Sequence, residues 1–271
     1  PPLPGVIKRP HLMSNDNWNS LESLAKELEE ICEDEQFSLG SLQEVINRIP
    51  PESQILEQHQ SRKYLDDCYF DFLPRACHNK RVTVEIIQCL VQFSPASVRA
   101  GTYLFSPNSE EQPINAPLSA EETMSYPIHL ACYNNDCPND AVELLINEEP
   151  ELMSQSCIIE EGGTSRLMDL HGADSYYRGL PLHYYLSRTS NRDIQTIKML
   201  AEAYPDALLE RGSSITSVEI LLLTPINDHR YDAIKEILQL FYEIEPTSLR
   251  TTNTQGETPL HMVLSDKQVT T

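Results

Sequence analysis

The chain has 271 residues, with 41 acidic and 20 basic side chains and a formal net charge of −21. This balance argues against nucleic acid and anionic membrane surfaces as partners, because both attract basic proteins. It favours steering toward basic protein segments. No apolar stretch is long enough to span a bilayer, so the sequence also predicts no membrane insertion.

The N-terminal quarter of the chain divides into two parts. Residues 1–18 are rich in proline and asparagine and predict an extended arm. Residues 19–71 predict an N-terminal helical cap or degenerate repeat, because Ser41 and Glu44 form a capping box and polar end units keep repeat arrays soluble. The apolar stripe of the first helix consists of Leu21, Leu24, Leu28 and Ile31.

A short motif recurs through residues 72–271, with copies that start near residues 72, 127, 181, 225 and 259. In the last copy, residues 255–261 read Gln-Gly-Glu-Thr-Pro-Leu-His. Gly256 suits a turn, Thr258 can cap a helix, and Pro259 suits the first helical position. Each copy therefore predicts a turn followed by the start of a helix.

A second helix is predicted in four copies, each ending near a proline: Pro95, Pro150, Pro205 and Pro246. The residues eight, five and four positions before each proline are almost all aliphatic or aromatic, a spacing that puts three side chains on one helix face. These residues are Ile87, Leu90 and Val91; Val142, Leu145 and Ile146; Ile197, Leu200 and Ala201; and Leu238, Phe241 and Tyr242.

The Thr-Pro-Leu-His sequence, with a glycine two residues before the threonine, resembles the ankyrin repeat. The resemblance covers roughly residues 40–271. It implies an all-α repeat solenoid of helix-turn-helix units, with long hairpin or loop insertions between repeats because three intervals exceed the family period of about 33 residues. It also implies that the motif histidine hydrogen-bonds backbone between neighbouring repeats.

His129 and Cys132 lie three residues apart on one predicted helix face, where a cysteine nucleophile and its base could sit. The histidine recurs as His183 and His261 without the cysteine, which indicates a repeat residue instead. A metal site that adds Cys137, with Cys77 and His78 nearby, lacks the paired ligand spacing typical of zinc. We predict that the chain is not an enzyme and has no catalytic residue, metal or cofactor.

The seven cysteines are an odd number, and several occupy predicted helix-core positions. The chain does not open with a secretory signal pattern. We expect reduced thiols in an intracellular reducing compartment, the cytoplasm or the nucleus. Import into an organelle is an alternative that the sequence leaves open.

The remaining interpretation is that the chain is a non-catalytic protein-protein interaction or scaffold module. The resemblance implies binding through inner helices and inserted hairpin loops, to a protein partner with a basic or extended segment. Tyrosine and arginine are enriched at binding hot spots, so the predicted partner-binding residues are Tyr133, Asn134, Tyr176, Tyr177, Arg178, Tyr184 and Arg188. Two alternatives are an accessory subunit of a stable multiprotein assembly and the regulatory repeat portion of a larger enzyme. The oligomeric state is open.

Overall fold

A computed structural model of the protein describes residues 15–48, 72–99, 101–103, 124–160, 176–188, 192–212, 215–223, 230–253 and 255–265. Across these ranges the chain is mostly helical, which confirms the predicted predominance of helix. The helices are α1 (Asn15–Glu33), α2 (Leu39–Arg48), α3 (Phe72–His78), α4 (Val84–Phe93), α5 (Pro127–Tyr133), α6 (Asn139–Glu148), α7 (Pro181–Ser187), α8 (Ile194–Ala203), α9 (Ser217–Leu223), α10 (Arg230–Ile244) and α11 (Pro259–Ser265).

The structure differs in part from the extended arm predicted at residues 1–18. Helix α1 begins at Asn15, so residues 15–18 belong to a helix, while residues 1–14 lie outside the described residues. Asparagine and aspartate are favoured at helix starts, and residues 15–17 read Asn-Asp-Asn. Residues 49–71 of the predicted N-terminal cap also lie outside the described residues.

The helices form two rows. Helices α1, α3, α5, α7, α9 and α11 make the inner row, and each contacts the next along the row. Helices α2, α4, α6, α8 and α10 make the outer row, again with contact between successive members. Each inner helix from α1 to α9 also contacts the outer helix that follows it in the chain. Successive helix pairs in the described ranges therefore pack against one another.

Proline sets the end of four outer helices. Helices α4, α6, α8 and α10 each end two residues before a proline, because the residue preceding proline is disfavoured in helical conformation. Each proline begins a short 3-10 turn, and these turns are Pro95–Arg99, Pro150–Ser154, Pro205–Leu208 and Pro246–Arg250.

Within the described residues, an antiparallel pair of strands follows each of the first three 3-10 turns. The pairs join β1 (Thr102–Tyr103) with β2 (Met124–Ser125), β3 (Cys157–Glu160) with β4 (Tyr176–Gly179), and β5 (Arg211–Gly212) with β6 (Ile215–Thr216). Strand β2 contacts β3, and β4 contacts β5, so successive hairpins lie side by side. Of the insertions predicted at residues 101–125 and 154–179, residues 104–123 and 161–175 lie outside the described residues.

The fifth helix of the inner row is α9 (Ser217–Leu223), which corrects the prediction of a repeat start near residue 225. Helix α9 contacts α7 and α11, and its Ile220 and Leu221 are buried. A capping box starts it: the Thr216 N–H donates to Glu219 Oε2 at 2.7 Å, and the Glu219 N–H donates to Thr216 Oγ1 at 3.3 Å. Residues 224–229 lie outside the described residues.

Candidate interaction surface

Two asparagines, each just after an inner helix, donate hydrogen bonds to carbonyls at the C-terminal end of the preceding inner helix. Asn79 follows α3, and its Nδ2 donates to the carbonyl oxygens of Cys32 and Asp34 at 2.9 Å each. Asn134 follows α5, and its Nδ2 donates to the carbonyl oxygens of Cys77 and Asn79, again at 2.9 Å. The last carbonyls of a helix have no partner within it, so each asparagine satisfies the helix end of the preceding unit.

Arg188 occupies the same place after α7. Its Nε donates to the carbonyl of Cys132 at 2.9 Å, its Nη1 to that of Cys137 at 3.2 Å, and its Nη2 to that of Ala131. The guanidinium carbon lies 4.5 Å from the centre of the Tyr185 ring. The side chain is 1% exposed. Its charge therefore sits at the negative end of the α5 macrodipole.

This geometry corrects three of the predicted partner-binding residues. Arg188 and Asn134 are buried and donate to backbone of the preceding unit. Tyr184 is fully buried, and its hydroxyl donates to the carbonyl of Cys157 at 2.9 Å. Because these side chains face other parts of the chain, they hold units together and offer no contact to a partner in this conformation.

Tyr133 is partly exposed at the end of α5. Its ring stacks on the exposed His78 ring, with centroids 6.3 Å apart and an angle of 3° between the planes. The buried Tyr184 ring meets it edge-on at 6.2 Å. Arg75 on α3 forms an ion pair with Glu33 at the end of α1. We call Glu33, Arg75, His78 and Tyr133 the inner edge.

The other predicted partner-binding residues belong to β4. The exposed Arg178 donates from Nε and Nη2 to the Ser156 hydroxyl at 3.1 and 3.0 Å. Tyr177 and Tyr176 pair along the hairpin with Ile159 and Glu160, and their side chains lie outside the described part of the chain.

The motif histidines bind backbone. The Nε2 of His129 is 2.8 Å from the carbonyl oxygen of Gln155, in the segment that leads into β3. The Leu180 N–H donates to His183 Nδ1 at 3.1 Å. Burial lowers the pKa of both His129 and His183 to about 4, so both imidazoles are neutral at physiological pH. A neutral imidazole that is committed to backbone is a structural group.

The described cysteines carry free thiols. Burial raises the pKa of Cys137 to about 11 and that of Cys157 to about 12, and it also raises the pKa of Cys77 and Cys132. These four thiols are therefore protonated, and a protonated thiol is a poor nucleophile and metal ligand. In the described ranges, no group of three or more His, Cys, Asp and Glu residues is placed to hold a metal ion.

His78 and Asn79 were not among the partner-binding residues predicted from the sequence. The signal that could have found them is the match of Ala-Cys-His-Asn at residues 76–79 with Ala-Cys-Tyr-Asn at residues 131–134. The third position of this pattern carries the stacked ring, His78 or Tyr133. The fourth carries the asparagine that binds the preceding unit, Asn79 or Asn134.

Comparison with known protein families, with curated proteins and with solved structures found no match to this chain. Among the described helices, none is both long enough and apolar enough to cross a membrane.

Proposed function

We propose that the chain is an ankyrin-like repeat solenoid that acts as a non-catalytic protein-interaction or scaffold module. The observation that carries the proposal is the recurrence of one contact pattern in successive helix pairs. Each pair packs on the pair before it, and a residue after α3, α5 or α7 binds the preceding unit. Chains built in this way present long surfaces to partners.

The inner edge and the β3–β4 hairpin are the proposed contact surface. The inner edge offers two aromatic rings and the Arg75–Glu33 pair at the ends of three successive inner helices. The hairpin adds Arg178, which is exposed. Aromatic and arginine side chains supply most hot-spot energy at interfaces, and here the rings are already held by stacking.

The proposed partner is a protein with a basic or extended segment. The formal charge of −21 raises the local concentration of such segments near the chain. The buried free thiols suit a reducing intracellular compartment. Because this attraction is electrostatic, we expect affinity to fall as salt is raised through the physiological range.

The test is quantitative affinity purification with the intact chain as bait. A His78→Ala/Tyr133→Ala variant removes both aromatic rings of the inner edge, and Gln88→Ala on α4 is the matched control because Gln88 is exposed on the outer row. We expect partners held by the parent chain and by Gln88→Ala to be lost with the double variant. Partners retained equally by all three baits would refute the inner edge as the binding surface.

A further inference from the structure

A charged guanidinium closes on one serine hydroxyl beside the β3–β4 hairpin. Arg178 of β4 donates to the Ser156 Oγ from Nε at 3.1 Å and from Nη2 at 3.0 Å. These two nitrogens form an edge of the guanidinium that matches two oxygens of a phosphate or a carboxylate. Here both converge on a single oxygen of a neutral side chain, so the arginine makes weaker bonds than this edge can form.

The hydroxyls of three other serines show the ordinary arrangement. Ser97, Ser154 and Ser187 each donate to a backbone carbonyl three residues earlier in the chain. Bonds of this kind are the usual local contacts of serine. The Ser156 hydroxyl instead receives two bonds from a charged side chain that is 22 positions away in the chain. The contact is therefore a product of the folded hairpin.

Ser156 lies in an accessible segment. It follows the 3-10 turn Pro150–Ser154 and precedes strand β3, so it belongs to neither helix nor strand. Ser154 and Gln155 are exposed, and Ser156 itself is half-buried. Gln155 has an extended backbone, with φ −83° and ψ 128°. A modifying enzyme can act on such a segment without first pulling it out of a helix or a strand.

The charges near Ser156 in the sequence indicate the kind of enzyme. Residues 100–165 contain no lysine or arginine. Acidic residues stand on both sides of the serine, namely Glu148, Glu149, Glu151, Glu160 and Glu161. A kinase that recognises basic residues near its target finds none here. A kinase with a basic peptide-binding groove is matched to this segment by charge.

We propose that Ser156 is phosphorylated by a protein kinase that prefers acidic segments, and that Arg178 then binds the phosphoserine. The Ser156 Oγ attacks the γ-phosphorus of Mg²⁺-bound ATP, and the bond from that phosphorus to the β-phosphate oxygen breaks. ADP leaves, and the hydroxyl proton passes to the catalytic carboxylate of the kinase. The phosphate carries about two negative charges and three acceptor oxygens. Arg178 thereby exchanges two bonds to a neutral hydroxyl for charge-assisted bonds to phosphate.

The modification goes beyond the proposed function, because neither the phosphorylation nor the binding by Arg178 requires a partner protein. It has a consequence for the proposed contact surface, since Arg178 is one of its residues. The phosphate neutralises this arginine and makes the hairpin more acidic, which strengthens attraction to a basic segment. This consequence alone rests on the proposed function.

The first test maps phosphorylation on the intact chain. The protein is incubated in a eukaryotic cell extract with Mg²⁺, ATP and phosphatase inhibitors, together with casein, and phosphopeptides are quantified by mass spectrometry. We expect phosphate on Ser156. Phosphorylated casein shows that kinases with acidic preference are active in the extract. A Ser156 that stays free of phosphate beside phosphorylated casein would overturn the proposal.

A charge-swap variant tests the kind of kinase. Glu148→Lys/Glu151→Lys reverses two exposed charges before the serine, and Asp232→Lys/Glu236→Lys reverses two exposed charges on α10 as the matched control. The first variant should lower phosphorylation of Ser156 by about fivefold or more, and the control should leave it unchanged. Phosphorylation that is equal in both variants would show that the acidic segment does not select the kinase.

The second test measures the binding by Arg178 directly. Phosphoserine is incorporated genetically as Ser156→phosphoserine, with Ser154→phosphoserine as the matched control because Ser154 is exposed and bonds only locally to the Glu151 carbonyl. Phosphorus NMR follows the second pKa of each phosphate, and circular dichroism verifies that each protein is folded. The ordinary value of this pKa is about 6.

We expect the phosphate at residue 156 to have a pKa of about 5.5 or below, because the Arg178 charge favours the dianion. Arg178→Gln should return this pKa to about 6, while the phosphate at residue 154 should titrate at about 6 with and without Arg178. Equal titration at the two positions would overturn the binding by Arg178. Either failure leaves the inner edge unaffected, because that surface is tested by its own variant.

Discussion

Helices α7 and α11 begin with the same residues and end in different environments. Both begin with Pro-Leu-His. In both, the histidine Nδ1 accepts a hydrogen bond of 3.1 Å from the backbone N–H of the residue three positions earlier in the chain. Leu182 of α7 is 2% exposed, whereas Leu260 of α11 is 66% exposed. The motif therefore sets how the helix starts, and the neighbours set whether it is buried.

The difference matters for stability because most of the energy of such a helix comes from burial. Full burial of a leucine contributes about 2 kcal/mol relative to an exposed one, and helices of seven residues are too short to be stable alone. Helix α7 is held on both sides by α5 and α9. Helix α11 has an inner-row neighbour on one side within the described residues. Units of one sequence type should therefore differ in local stability.

The largest effect is expected at Arg188, which joins α7 to α5. Arg188→Ala should lower the free energy of unfolding by about 4 kcal/mol, because it leaves buried carbonyls unpaired and opens a cavity. Urea denaturation measures the change. Arg178→Ala on the exposed hairpin is the control and should change stability by about 0.5 kcal/mol or less. Similar losses in both variants would show that Arg188 is not a link between units.

The next effect compares the two motif leucines directly. Leu182→Ala should cost about 3 kcal/mol, the range of buried leucine truncations. Leu260→Ala should cost about 0.5 kcal/mol, because the side chain loses little burial. The same urea experiment measures both variants, and equal costs would mean that α11 is covered in solution.

The third effect concerns the protonation of the buried histidine His183. Its pKa is about 4 in the folded chain, below the ordinary value of 6.5, so the unfolded chain binds more protons between these limits. Stability from His183 is complete above pH 6.5 and is lost as pH falls toward 4, by about 2 to 3 kcal/mol. His183→Gln should remove this part of the pH dependence, while His261→Gln at the exposed copy should keep it. Parallel pH profiles for the parent and His183→Gln would contradict the burial of a neutral ring.

The smallest effect is expected at Asn134, whose neutral Nδ2 donates two hydrogen bonds to the preceding unit where the Arg188 guanidinium donates three. Asn134→Ala should cost about 1 to 2 kcal/mol. Asn134→Asp keeps the shape but replaces the donating amide, so it should cost at least as much. Thermal unfolding followed by circular dichroism ranks the two variants against the parent. A stable Asn134→Asp protein would show that the amide does not bind these carbonyls.

The local features of the fold were readable from the sequence, and the long-range ones were not. Proline stops and apolar spacing located the outer helices, because both act within a few residues of the chain. The capping box of Thr216 and Glu219 was a local signal for α9 that the Thr-Pro dipeptide at residues 224–225 obscured. The roles of Asn134 and Arg188 depend on carbonyls more than 50 residues away in the chain. Residue type alone does not tell a hot-spot side chain from one that joins two units.

Amide hydrogen exchange of the intact chain, read by mass spectrometry, tests most directly whether neighbours set the stability of each unit. Peptides that cover α5 and α7 should exchange slowest, because their amides are released by opening of several units. Those that cover α11 should exchange at least about tenfold faster, because opening there breaks one inner-row contact. Exchange of α7 and α11 at the same rate would contradict the dependence on neighbours.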